Sequence, residues 1–570
     1  MYIHNLVYKG LKTSFKIIFY FILFTVSLVK MQAQNFELRI YTKDTANTSL
    51  LKSFEYVKIH ENKQSIVHEV ENISKKLAFN GFINNKYNLV QKDSIFNCTY
   101  TLHKKIDSIR IYYSNKHINK NIISKLAKVY TNTYFEIATN RIEYSLNYII
   151  NYFENKGASF TSTSLNNLAQ NNNKLTANLQ LNISEERKIN TIIVKGYNDF
   201  PRKYLKHYLS LSKNSIFNLN TLNNIETEVN TIPFVTQFKK PAILFTKDST
   251  TLYLHLKKKQ TNTFDGIIGF SNKEGSNKLI FNGYLNLSLN NIFNKGESFS
   301  LNWKNNGEEA QTLNLKFTTP YIVNSKFSTS CEFSIYKQDS TYVNTKSKIN
   351  LNYSITKNNF ADIIFANENS NLTSNTNLDA SDFKNTFIGL SYTYSTLQEV
   401  KNLNNPKLLI NLEYLKGNRI VNHIKNNQDK IKLVAEHLFK LNQKNSISIK
   451  SINELLIGKN LLQNEMYRIG GINTIRGFNE QSIFTSKYSV TNIEYHYNIN
   501  SISQLYSITD IGILLEPIKN STSKLYGLGL GYKTISNNSI INLSYVIGKN
   551  EKTPFNFNNS KVHIKISYLF

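Results

Sequence analysis

Residue types capable of covalent chemistry are present in this chain but are not assembled. Eleven histidines are scattered over 570 residues. None stands in an HExxH, Ser/His/Asp or paired-carboxylate spacing, so the sequence predicts no enzyme, metal or cofactor. The two cysteines, Cys98 and Cys331, form neither a CxxC nor a Cys/His metal pattern and imply no disulfide framework. One cluster points to definite chemistry of another kind. Residues 468–480 read Arg-Ile-Gly-Gly-Ile-Asn-Thr-Ile-Arg-Gly-Phe-Asn-Glu. Gly470, Gly471 and Gly477 permit tight or positive-φ backbone. Arg476 carries a planar five-donor cation, and in a confined space such a group needs a carboxylate.

The elements around this cluster are strands. From about residue 262 to the end, some sixteen segments alternate apolar and polar residues. Phe299, Leu301 and Trp303 alternate with Ser298, Ser300 and Asn302, and residues 279–289 and 312–318 behave alike. A period of two gives one apolar and one polar face. In a membrane barrel the first meets lipid and the second an aqueous lumen. Short joints (357–359, 442–443, 500–502, 536–538) interleave with longer ones (368–385, 417–427, 457–483, 550–559). Outer-membrane barrels show this asymmetry of short periplasmic turns and long external loops. A soluble β-sandwich or solenoid predicts neither the asymmetry nor the closing strand, where Val562, Ile564, Ile566, Tyr568 and Phe570 share one face. The 35 Tyr and 35 Phe fit girdles at the membrane interfaces.

Residues 36–260 mix strands with helices in three copies of one α+β pattern. The clearest copy has a strand at 189–195 ending in Gly196, a helix opened by Pro201, a second over Leu222–Val229, and strands at 233–246 and 250–258. The second copy starts at Ile106–Ile111 and continues through a helix at 136–156 to a strand at 175–184. The first has a strand at 36–40, a helix at 62–79 and a strand at 95–103. The three copies resemble the POTRA domain, a periplasmic α+β repeat, and the predicted domains are therefore 34–103, 104–186 and 187–260, followed by a barrel over 261–570.

Residues 1–33 read as a secretory signal peptide. Lys9, Lys12 and Lys16 precede an apolar run from Ile17 to Val29, and Met31-Gln32-Ala33 offers a cleavage point. The run is shorter than the roughly 20 residues that a spanning helix needs. Only helices and closed barrels satisfy every backbone group in lipid, and no later apolar run is long enough for a helix. The net charge of +29 comes from lysines spread along the whole chain. With no basic helix or block, no nucleic-acid partner is predicted.

The cluster at 468–480 is similar to the G-G-x-x-x-[VI]-R-G-[FY] motif of the BamA/TamA family, the bacterial surface antigens, through Gly470, Gly471, Ile475, Arg476, Gly477 and Phe478. The resemblance covers nearly all of the chain after residue 33, and three POTRA-like units make the layout TamA-like. It implies a sixteen-stranded antiparallel transmembrane barrel, with the motif in the sixth external loop, between strands eleven and twelve, folded into the lumen. It also implies that Arg476 pairs with the Asp of an [F]-x-D-x-G motif on strand thirteen. Here Asp510-Ile511-Gly512 supplies D-x-G, while Ile508 replaces Phe. A bidentate Arg476–Asp510 bond would pin loop to wall. Pro320-Tyr321 resembles a family turn, and Gly527-Leu-Gly-Leu-Gly531 its glycine-rich fourteenth strand. Tyr568 and Phe570 resemble the C-terminal signal of barrels awaiting insertion.

The implied place is the bacterial outer membrane, with the N-terminal domains in the periplasm. The implied task is insertion or translocation of proteins, with unfolded outer-membrane or secreted chains as clients. Accessory lipoproteins or an inner-membrane bridging protein are further partners this reading admits. Strand one, containing Asp265, Gly266 and Gly269, is expected to pair weakly with strand sixteen and form a seam. A two-partner-secretion pore is one alternative, although it usually has two POTRA units and an N-terminal plug helix. A passive channel is another, but it would not need residues 36–260.

Overall fold

A computed structural model of the protein describes residues 35–43, 51, 54–171, 174–272, 279–306, 310–339, 341–374, 379–396, 407–516, 521–536, 538–551 and 555–570. The predicted signal peptide, 1–33, lies outside them. The chain divides into two compact units, Met1–Glu186 and Arg187–Phe570.

The first unit holds two α/β layers. In the first, helix Lys63–Phe79 begins where the Asn62 side chain accepts the Ser65 N–H at 2.8 Å. Its Ile66, Val70, Ile73 and Leu77 recur every three or four residues and are buried with Leu38, Phe96 and Tyr100. The sheet beneath runs 59–60, 36–42, 95–101, 86–92. Cys98 lies in this core, where burial pushes its thiol up to about 11 and keeps it protonated at neutral pH. The second layer packs helix Ile142–Asn155 on a five-stranded sheet. The predicted helix 136–156 begins later than expected because Tyr134–Ala138 forms a strand, burying Phe135 and Ile137 on one face. Period two wins there over helical propensity.

The second unit opens with a third α/β layer. Strand Thr191–Lys195 runs parallel to Thr250–Lys258, which pairs antiparallel with Val235–Phe245. Helices Arg202–His207 and Leu219–Val229 cover it. This layer is fastened to three turns at one end of the barrel. Tyr197 donates to Asn294 Oδ1 at 2.6 Å, His207 Nε2 lies 2.8 Å from the Asn324 carbonyl, and Lys357 pairs with Glu228. Tyr204 packs edge-on against Phe234 and Tyr321, both at 5.2 Å, and burial pushes its phenol above the ordinary range. Tyr321, from the predicted Pro-Tyr turn, has a left-handed backbone (φ +54°).

Among the described residues sixteen antiparallel strands then close a barrel, from Thr263–Asn272 to Lys561–Leu569. Its pattern is inside out. Ile349 pairs with Phe365 and Phe365 with Ile388, and all three are exposed on the outer wall, as is Leu390 at 64%. The lumen carries charge. Lys346 and Lys430 bracket Glu368, Lys348 meets Glu413 at 2.7 Å, and Lys432 meets Glu454 at 2.9 Å. These groups line a cavity of about 480 Å³. An apolar outside around a charged inside suits lipid outside and water within. One predicted long loop is absent as such: 417–427 is strand up to Val421 and again from Ile424, joined at Asn422 and His423, both with positive φ. Those two residue types suit a two-residue hairpin turn, so the ladder runs on to the tip.

Candidate functional site

The connection between the eleventh strand (Asn445–Gly458) and the twelfth (Lys487–Asn498) does not stay outside the barrel. It carries a short 3-10 turn at Gln463–Glu465, then its own ladder, Tyr467–Ile469 against Ile483–Thr485. Between those short strands a tip is formed by local bonds. Gly470 N–H donates to Thr474 Oγ1 at 2.8 Å and Gly471 N–H to the Ile475 carbonyl at 3.0 Å. Gly470, Gly471 and Gly477 all adopt positive φ.

At this tip Arg476 is 7% exposed and Asp510, on the thirteenth strand (Ser503–Glu516), is fully buried. The guanidinium donates from Nε to Asp510 Oδ2 at 2.8 Å and from Nη2 to Oδ1 at 2.6 Å. The Arg476 backbone N–H adds a third bond to Oδ2 at 2.8 Å. Nη1 donates to Glu494 Oε1, and His496 Nε2 lies 3.2 Å from the other Glu494 oxygen. Two carboxylates thus share one arginine, Asp510 fully buried and Glu494 about a quarter exposed, and burial strengthens the charge-assisted bonds to Asp510.

Apolar contacts complete the fit. Ile475 is fully buried among Ile452, Ile469, Val490 and Leu514, with Phe478 at the cluster's edge. Gly512 forms the pit for Ile475: a β-carbon there would lie 2.9 Å from Ile475 Cδ1. Gly477 lies flush on the fifteenth strand, and a β-carbon on it would meet Gly548 N at 2.6 Å. One at Gly527 would collide with the Arg476 carbonyl. Gly477→Ala is therefore expected to lift the tip, from positive φ and backbone collision together, at a cost of roughly 1–3 kcal/mol. Limited proteolysis of the folded barrel checks this, since a tip as resistant as wild type would refute it.

The structure thus brings together Gly470, Gly471, Arg476, Gly477, Phe478, Asp510 and Gly512. Tyr568 and Phe570 lie elsewhere, with their rings stacked 6.5 Å apart at the end of the last strand. Sequence reasoning missed Glu494, Gly548 and Asn492, whose Nδ2 donates to the Thr474 carbonyl at 2.9 Å. Glu494 was findable, because it shares the lumen-facing parity of Asn492 and His496 on a strand next to Asp510. Nothing in the sequence marked Gly548.

No family model matches the chain, and no curated protein matches it. Solved structures do. CdiB from Acinetobacter baumannii aligns with 82% of this chain and 90% of its own, at 16% identity and a TM-score of 0.51. CdiB from Escherichia coli aligns with 89% and 98%, at 12% identity and a TM-score of 0.50. BamA from Haemophilus ducreyi lacking POTRA domains 1–3 aligns with 82% and 100%, at 12% identity and a TM-score of 0.46. The chain shares its fold with the two CdiB structures.

Proposed function

We propose that this chain is an outer-membrane barrel of the BamA/TamA kind that inserts or translocates other polypeptides, and that it does so without enzymatic chemistry. One observation carries the reading: among the described residues the barrel is closed by a seam of two residue pairs, Thr263 with Leu569 and Phe264 with Tyr568. Neighbouring strands elsewhere in the barrel share eight to fourteen. Past those pairs, alternate residues of each edge strand turn backbone donors and acceptors toward the open side, where lipid cannot satisfy them. A weak seam is thus the place where a client strand could add by edge pairing.

The rest of the reading follows from this. Residues 1–33 direct export. Three POTRA-like domains, 34–103, 104–186 and 187–260, stand in the periplasm and receive unfolded clients. The loop held by Arg476, Asp510 and their glycines is a lock inside the lumen. Tyr568 and Phe570 serve as the barrel's own insertion signal. Accessory lipoproteins or an inner-membrane bridging protein would dock on the periplasmic side.

Depleting the protein and profiling the outer-membrane proteome tests the reading. Broad loss of barrel proteins is the expected result. Loss of one exported protein would replace it with a dedicated two-partner-secretion pore, and no loss at all would refute both.

A further inference from the structure

The loop between the eleventh and twelfth strands touches the barrel at a second buried ionic centre, in the turn that precedes its inner ladder. Glu465, in the 3-10 turn at the start of the loop, is 5% exposed, and Arg419 on the ninth strand (Leu408–Val421) is 3% exposed. Arg419 Nη1 donates to Glu465 Oε1, and its Nη2 donates to the Lys459 carbonyl at 2.7 Å. Gln428 Nε2 on the tenth strand donates to Glu465 Oε2 at 2.9 Å, and Asn385 Nδ2 on the eighth donates to Gln428 Oε1 at 3.0 Å. The Leu462 N–H closes the turn onto Glu465 Oε1 at 2.7 Å. Asn464 beside it is fully buried. Its Nδ2 donates to Ser370 Oγ at 2.7 Å and to the Ser381 carbonyl at 2.9 Å, while its backbone carbonyl accepts from Asn344 Nδ2 at 2.5 Å.

The two centres grip different parts of the wall. The tip is held by strands twelve to fifteen. The 3-10 turn is held by strands six to ten and the Ser381 connection, at the rim away from the third α/β layer: Arg419 lies only two residues from the end of its strand, beside the Asn422–His423 turn. Between them Arg468 sits over the Tyr336 ring of the fifth strand, 3.4 Å from its centroid. Neither centre includes a residue of the first or sixteenth strand. Buried ion pairs of this kind discriminate strongly between made and broken states, because breaking one leaves an uncompensated charge.

We propose that Arg419 and Glu465 form a second anchor, released separately from the Arg476 lock, so that the loop is a strap fastened at both ends across the lumen. Freeing the tip alone would then leave the outer limb in place and the rim still covered. Freeing the Glu465 end would uncover the rim while Arg476 stays bound.

A reporter cysteine on the outer limb tests this. Met466 is 8% exposed and follows the turn directly. The full chain carrying Met466→Cys and Cys331→Ser, folded in lipid vesicles, is reacted with a bulky maleimide. Labelling is expected to be slow in this parent and to stay slow when Arg476→Ala is added. With Glu465→Gln added instead, it should rise by roughly tenfold or more, the factor that 1.4 kcal/mol of lost closed-state preference gives. Gln428→Leu, which removes one bond to Glu465 and leaves both charges in place, should give a smaller rise, and it serves as the variant of record if Glu465→Gln does not fold. The proposal is overturned if Arg476→Ala exposes the reporter as much as Glu465→Gln does, or if neither Glu465→Gln nor Gln428→Leu raises labelling. The readout is loop position alone, so it stands or falls apart from any role in handling clients.

Discussion

Arg476→Ala is expected to lower the stability of the folded barrel by roughly 3–5 kcal/mol, the cost of removing one partner from a buried ion pair. The size follows from what remains. Asp510 is fully buried and would lose two of the three bonds it receives from Arg476, keeping only the backbone N–H bond at 2.8 Å. Glu494 would lose its guanidinium as well. Two carboxylates would then face each other's field in a space built for one cation. Arg476→Lys should fall between wild type and alanine, because a point charge cannot make the bidentate contact to Asp510 and reach Glu494 together. Asp510→Asn should cost less than Arg476→Ala, since Arg476 keeps Glu494 and no bare anion is left. The check is the urea midpoint of the heat-modifiable folded band for the three variants. An Arg476→Ala barrel as stable as wild type, or a lysine variant worse than alanine, would show that the pair does not hold the loop.

Much of this arrangement was readable in the chain because it rests on short-range rules. Strict alternation along 279–289 or 312–318 announces a strand with two unlike faces, and the structure has strands at Leu279–Asn290 and Ala310–Thr319. The glycines around Arg476 announce a backbone that leaves the ladder. What failed to show was whatever depends on register between distant strands. Glu494 and Glu465 are ordinary glutamates in sequence, and only the closing of the barrel sets one beside Arg476 and the other beside Arg419, 46 residues away. Gly548 matters because a loop more than sixty residues earlier presses its backbone there. The helix predicted over 136–156 forms, but it starts at Ile142 for a related reason. Tyr134–Ala138 pairs with Ser108–Tyr112, and that long-range partner overrides the local helical pattern.

The largest effect on function should come from closing the seam. Thr263 and Leu569 are direct partners across it, and the Phe570 N–H donates to the Asn262 carbonyl at 3.0 Å just beyond. Directly opposed residues of antiparallel strands have Cα atoms about 4.5–5.5 Å apart, within the span that a disulfide bridges. Thr263→Cys/Leu569→Cys, in a chain with the exposed Cys331 replaced by Ser, should therefore oxidise readily. Buried Cys98, with its raised pKa, should stay out of the exchange. The cross-link leaves the Arg476 lock and the α/β layers untouched and removes only strand separation. If clients enter by pairing with the freed edges of the first and sixteenth strands, the oxidised barrel should lose nearly all its activity. Reduction should then restore it in the same sample. Activity is read as the rate at which newly made outer-membrane proteins become heat-modifiable in cells that depend on this chain. A passage that runs only through the lumen would not notice the bond. An oxidised barrel as active as the reduced one would therefore move the proposed route from the seam to the pore behind the strap.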